Sequence, residues 1–143
     1  MKNNKMMKNI MNIFLCSNLY RDKQFEGTGL SGNQSKYVIE VCKHPGITQD
    51  KLAQKLHVNK SNVTRQLVLL EENEYITRKR SEQDKRTIMV FPTPKMMKAL
   101  PLVQASFEKW YTLITENNLS EEEQVILNSL LEKLSKRSEE VIK

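Results

Sequence analysis

Apolar positions recur with helical spacing over residues 5–24, where Met6, Ile10, Ile13, Phe14, Ser17 and Tyr20 share one broad face. Leu15 and Leu19 lie on the other side, so this helix needs cover from more than one direction. Residues 25–32 hold three of the four glycines and interrupt the pattern as a loop. A second helix is predicted from Gln34 to Lys43, with Tyr37, Val38, Val41 and Cys42 inward, ended by His44-Pro45-Gly46. Thr48 can cap a short helix over 49–56 that turns Leu52, Ala53 and Leu56 inward. After a tight turn at His57-Val58, Asn59 can cap a third helix over 60–73, with Val63, Leu67 and Leu70 on one stripe.

The period then changes. Tyr75-Ile76-Thr77 and Thr87-Ile88-Met89-Val90-Phe91 flank the polar stretch Arg78 to Arg86, which predicts a hairpin with a charged tip. Thr93-Pro94 is a helix start, and Met96, Leu100, Val103, Phe107, Trp110 and Ile114 carry a long helix over 94–116, with Pro101 expected to kink it. Asn117-Asn118 breaks that helix. Ser120 and Glu123 form a capping box for a last helix over 121–139, with Leu127, Leu130, Leu131 and Leu134 inward.

Two short helices joined by a turn and followed by a hairpin make a winged helix-turn-helix. The expected fold is therefore mostly α with a small β-wing. A DNA-reading helix needs short polar and basic side chains at its N-terminal end, where base edges lie. Asn59, Lys60, Ser61, Asn62, Thr64 and Arg65 supply them, while Val63, Leu67 and Leu70 hold the helix to its domain. A wing tip needs cations for phosphates or the minor groove, and Arg78, Lys79, Arg80, Lys85 and Arg86 stand there against Glu82 and Asp84.

Charge sharpens this picture. The chain has 143 residues and a net charge of +6, with 23 basic and 17 acidic side chains. Residues 1–94 carry 16 basic and 9 acidic side chains, and residues 95–143 carry 7 and 8, so the basic excess lies in the winged region and the segment before it. No apolar run reaches the roughly 20 residues a bilayer span needs, so no segment is expected to span a membrane as a helix. Lys2, Lys5 and Lys8 before Ile10–Cys16 resemble a signal peptide, but Asn12 interrupts the apolar stretch and Leu15 is too large for the cleavage site. Cys16 and Cys42 are far apart and form no metal-ligand or disulfide pattern, so no metal or cofactor is expected and a reducing cytoplasm fits. Gly27-Thr28-Gly29-Leu30-Ser31-Gly32 spells GxGxxG, yet no strand precedes it, so it reads as a flexible interhelix loop rather than a dinucleotide site. Nucleophile-elbow, HExxH and Walker sequences are absent, so an enzyme is not expected.

Leu52-Ala53, Val63-Thr64-Arg65, Leu70-Glu71, Ile76, Arg78, the Asp84-x-Arg86 wing and Thr93 together resemble the MarR (multiple antibiotic resistance regulator) family of winged-helix repressors. Three positions depart from its pattern: Glu74 where a glycine is usual, Pro92 for a leucine, and Met96 for a common glycine. The resemblance implies an obligate homodimer, with residues 1–32 and 94–143 forming dimerisation helices around a DNA-binding region over 33–93. It implies that Arg86 reaches the minor groove and that Asp84 orients it. The expected function is a transcriptional regulator, a ligand-relieved repressor that binds a pseudo-palindromic operator on double-stranded DNA. A small aromatic effector would be lined by Phe14, Tyr37, Met96, Phe107, Trp110 and Tyr111, although side chains at such spacing also read as ordinary core. Cys16, one turn before Tyr20, is similar to the reactive cysteine of peroxide-sensing members, which makes a redox-sensing repressor an alternative. A winged-helix protein-interaction module that does not read DNA is another.

Overall fold

The computed structural model describes residues 4–143. Among the described residues six α-helices and three short strands follow one another as α1 (Asn4–Gln24), α2 (Ser35–Lys43), β1 (Ile47–Thr48), α3 (Gln49–Leu56), α4 (Lys60–Glu72), β2 (Ile76–Arg80), β3 (Ile88–Pro92), α5 (Pro94–Thr115) and α6 (Glu121–Ile142), with a single 3-10 turn over Gly32–Gln34 before α2. The predicted helices and hairpin are all present. Among the described residues no helix is long and apolar enough to cross a membrane. The chain divides into two compact units, residues 1–107 and 108–143, and α5 begins in the first and ends in the second.

The first unit has one core. Leu52 and Ala53 of α3, Val63, Leu67 and Leu70 of α4, and Val38 and Val41 of α2 meet Ile76 and Val90 from the hairpin and Val103 from α5. These are the stripes that the 3.6-residue period assigns to the inside. The helices begin where side chains satisfy orphan amides: Thr48 Oγ1 accepts from Lys51 N at 3.1 Å and Asn59 Oδ1 accepts from Asn62 N at 2.8 Å. Thr93 likewise caps α5 from Met96 N at 3.3 Å, and α5 remains helical through Pro101.

The sheet holds a third strand that the sequence pattern does not announce. β2 and β3 pair antiparallel from Ile76↔Pro92 to Arg80↔Ile88, and β1 adds to the other edge of β3 through Ile47↔Val90 and Thr48↔Met89. Two residues are too few to display an alternation, so the segment reads only as the exit from α2. The pairing fastens the start of α3 to the wing.

The glycine-rich loop is anchored rather than loose. Gly32 N donates to Asp22 Oδ1 of α1 at 2.6 Å, and a Cβ on Gly32 would overlap the carbonyl oxygen of Asn18. Tyr75 Oη donates to the Thr28 carbonyl, and Gln34 Nε2 donates to Gln66 Oε1 of α4 at 3.1 Å. Thus the loop is tied to α1 and to Tyr75 through its backbone, the Gln34 side chain just after it reaches α4, and no strand precedes it.

α4 ends in a Schellman motif, with Glu74 N donating to the Glu71 carbonyl at 3.0 Å and Tyr75 N to the Leu70 carbonyl at 2.8 Å. The motif needs a left-handed residue, and Glu74 occupies it at φ 62°. This is the position where the family pattern favours glycine. An L-residue there costs about 1–2 kcal/mol, while glycine loses about 0.5–1 kcal/mol of extra chain entropy. Glu74→Gly should therefore stabilise the protein by up to about 1 kcal/mol, seen as a thermal midpoint raised by a few degrees. An unchanged or lower midpoint contradicts the assignment.

The second unit contains the end of α5 and all of α6. Ser120 and Glu123 form the expected capping box, with Ser120 Oγ accepting from Glu123 N at 3.1 Å and Glu123 Oε1 from Ser120 N at 2.9 Å. Tyr111 Oη donates to Gln124 Oε1 at 3.1 Å and accepts from Asn128 Nδ2 at 3.0 Å. No residue of α6 is buried, although Leu127, Leu130, Leu131 and Leu134 form the predicted stripe.

Candidate nucleic-acid interface

The polar end of α4 stands free of the core. Lys60, Ser61, Thr64 and Arg65 are exposed and Asn62 is half-buried, whereas Val63, Leu67 and Leu70 are closed in. Local hydrogen bonds order these side chains. Asn59 Oδ1 also accepts from Ser61 Oγ at 2.9 Å, Arg65 Nη2 donates to Asn62 Oδ1 at 2.9 Å, and Lys60 Nζ lies 3.4 Å from Asp50 Oδ1 on α3. The result is a short row of amide, hydroxyl and cationic groups at a helix N-terminus. Such groups match base edges and phosphates in a major groove.

The wing turns through residues 81–87, whose backbone closes with Ser81 N donating to the Thr87 carbonyl at 2.9 Å. Asp84 organises the tip. Its Oδ1 accepts from Arg86 N at 3.0 Å and lies 3.5 Å from Arg86 Nε, and its Oδ2 accepts from Thr87 Oγ1 at 3.3 Å. The Arg86 side chain is 94% exposed, so its guanidinium is held at its base and open to solvent. Lys79 and Lys85 are exposed beside it, and Arg80 Nη1 braces the tip by donating to the Lys85 carbonyl at 2.7 Å.

Arg78 does not join this exposed group. Its side chain is only 21% exposed and turns inward, with Nε and Nη2 donating to Glu71 Oε1 at 3.2 and 3.0 Å and Nη1 to Gln49 Oε1 at 3.3 Å. A carboxylate one helix end away outcompetes solvent for the guanidinium fork. Arg78 is thus corrected from a surface cation to a buttress of the wing. Glu71 and Gln49, its partners, were legible only as a motif residue and a helix start.

The proposed effector-lining residues are shared between the two units. Tyr37 and Met96 belong to the closed core of the first unit, and burial pushes the Tyr37 phenol pKa up. Phe14 and Phe107 are exposed on α1 and α5. The Phe107 ring lies 4.3 Å from the guanidinium of Arg21, a buried cation whose pKa desolvation lowers and Asp22 partly restores. Trp110 and Tyr111 are half-buried in the second unit. Cys16 is exposed, with Sγ 3.9 Å from Asn12 Oδ1.

Comparison with known proteins agrees with this fold. Residues 30–88 match the model of the MarR family. The HTH-type transcriptional regulator BilQ of Clostridium symbiosum is 30% identical over 121 residues, covering 85% of this chain and 83% of its own length. A MarR transcriptional regulator from Methanosarcina mazei superposes with a TM-score of 0.88 at 24% identity, over 97% of this chain and 99% of that one. A MarR family regulator from Listeria monocytogenes, solved complexed with 26mer DNA, superposes with a TM-score of 0.75 at 24% identity, over 96% and 89% of the two chains.

Proposed function

The chain belongs to the MarR family and is a DNA-binding transcriptional regulator, not an enzyme, and from that premise we propose that it works as a homodimeric repressor on a pseudo-palindromic operator. The observation that carries the reading is the pairing of two exposed elements on one sheet-and-helix scaffold. These are the capped polar end of α4 and the Asp84-held Arg86 at the wing tip. In this reading α4 enters the major groove through Lys60, Ser61, Asn62, Thr64 and Arg65, and Arg86 with Lys85 reaches the adjacent minor groove. A dimer presents these elements twice, so half-sites lie about one helical turn apart.

Dimerisation is supported by two uncovered apolar faces. α1 exposes Ile10, Ile13, Phe14, Leu15 and Leu19, and α6 exposes Leu127, Leu130, Leu131 and Leu134. A monomer in water would leave more apolar surface open than soluble chains usually do. Relief of repression by a small aromatic effector is the further part of this reading, supported by the exposed rings of Phe14 and Phe107. Such a ligand acts only by binding one spacing of the DNA-reading elements better than another. In this reading the protein works in the cytoplasm, where it would meet chromosomal DNA.

Selection of bound sequences from random duplexes, repeated at two salt concentrations, tests the reading. The expected product is an inverted repeat whose affinity falls steeply as salt rises. Failure to enrich any sequence, or affinity indifferent to salt, defeats it in favour of a protein-binding winged helix.

A further inference from the structure

Glu71 sits where electrostatics argues against it. It lies in the last turn of α4, which carries no basic residue and where the helix dipole disfavours a carboxylate, and on the element proposed to meet a polyanion. Both of its oxygens are engaged. Oε1 accepts from Arg78 Nε at 3.2 Å and Nη2 at 3.0 Å, and Oε2 accepts from the Arg78 backbone N at 3.2 Å. The remaining edge of the guanidinium reaches Gln49 Oε1, at the first turn of α3, at 3.3 Å. One arginine therefore joins three elements: both helices of the helix-turn-helix and the first wing strand. From Arg78 the strand runs two residues to Arg80 and into the tip that carries Arg86.

We infer that Glu71 is a positioning residue that grips Arg78, and through it Gln49, to fix the angle of the wing against the recognition helix so that α4 and Arg86 engage one operator together. Neither Glu71 nor Arg78 touches DNA. The clamp uses the planar guanidinium of arginine, with Nε and Nη2 converging on Glu71 Oε1 while Nη1 reaches Gln49, which a lysine cannot reproduce. It sets the spacing between major-groove and minor-groove contacts, so it contributes to specificity and not to general attraction for DNA. The inference rests on the DNA-binding reading above.

The test measures affinity of the full-length protein for its selected operator and for an unrelated duplex, across a salt series, for the wild type and four variants. Glu71→Ala and Arg78→Ala should each lower operator affinity by about tenfold with the salt slope unchanged, because no phosphate contact is removed. Affinity for the unrelated duplex should hold or rise in Glu71→Ala, since a negative charge has gone. Arg78→Lys keeps the charge, loses the fork and should behave like Arg78→Ala. Glu71→Gln keeps the size and one acceptor, so it folds without new strain and should fall between wild type and Glu71→Ala. Tighter operator binding by Glu71→Ala would make Glu71 a mere repulsive surface charge and overturn the inference. So would wild-type affinity in Arg78→Lys together with a flattened slope in Arg78→Ala, which would make Arg78 a phosphate contact. If wild type itself shows no salt-dependent binding, the DNA-binding reading falls and takes this one with it. Intact wild-type binding beside unaffected clamp variants removes this one alone.

Discussion

Replacing Leu130 and Leu134 of α6 together by Asp should convert the protein to a monomer and lower operator affinity by about 10²–10⁴-fold, the range expected when one of two linked contacts is lost. The physical case begins with the helix itself. α6 runs 22 residues with no buried side chain, and Leu127, Leu130, Leu131 and Leu134 lie on one face. A helix in water draws most of its stability from packing an amphipathic face. A partner copy can cover that face, and charges placed there cannot enter an apolar contact unpaired. Light scattering should give a mass near twice 16.7 kDa for wild type and 16.7 kDa for the double variant. Because both leucines are already open to solvent in the single chain, a monomeric native state predicts the opposite: no change in mass and little change in stability. An unaltered dimer with full operator binding would move the interface elsewhere.

The same surface shows what the sequence makes legible. Period and capping residues carry most of the fold: Thr48, Asn59, Thr93 and Ser120 each accept the amide they were expected to cap. Those signals are local, and a capping side chain reaches only its own first turn. What the sequence conceals is long-range pairing. β1 is a strand only because Val90 lies opposite Ile47, and two residues have no period. Arg78 shares the wing with Arg86 and the same charge, yet it turns inward because Glu71, seven residues earlier, faces it across the helix exit. Composition counts both as wing cations, and only the fold separates the gripped one from the free one. Tyr37 and Met96 show the same limit, because a stripe at helical spacing cannot distinguish core from cavity wall. At Glu74 the reverse holds. The sequence departs there from the glycine of the family pattern, and the backbone at that residue is left-handed.

Of all single substitutions at the wing, Arg86→Ala should cost most in operator affinity. Its guanidinium is open to solvent and carries no structural load beyond Asp84, so removing it should change stability by less than about 0.5 kcal/mol. The effect therefore isolates DNA contact. A groove-reading arginine is worth about 1–3 kcal/mol, and a dimer loses two of them, so affinity should fall by at least about 30-fold. The logarithmic salt slope should also flatten, because a cation that displaced counterions has gone from each wing. Asp84→Ala separates orientation from charge. Asp84 holds both the Arg86 backbone amide and Nε, and its carboxylate otherwise opposes the phosphates. If Asp84 aims Arg86, Asp84→Ala weakens binding despite deleting a negative charge. If it does not, the same variant binds DNA more tightly. Unchanged affinity and salt slope in Arg86→Ala would remove the wing from DNA and leave recognition to α4 alone.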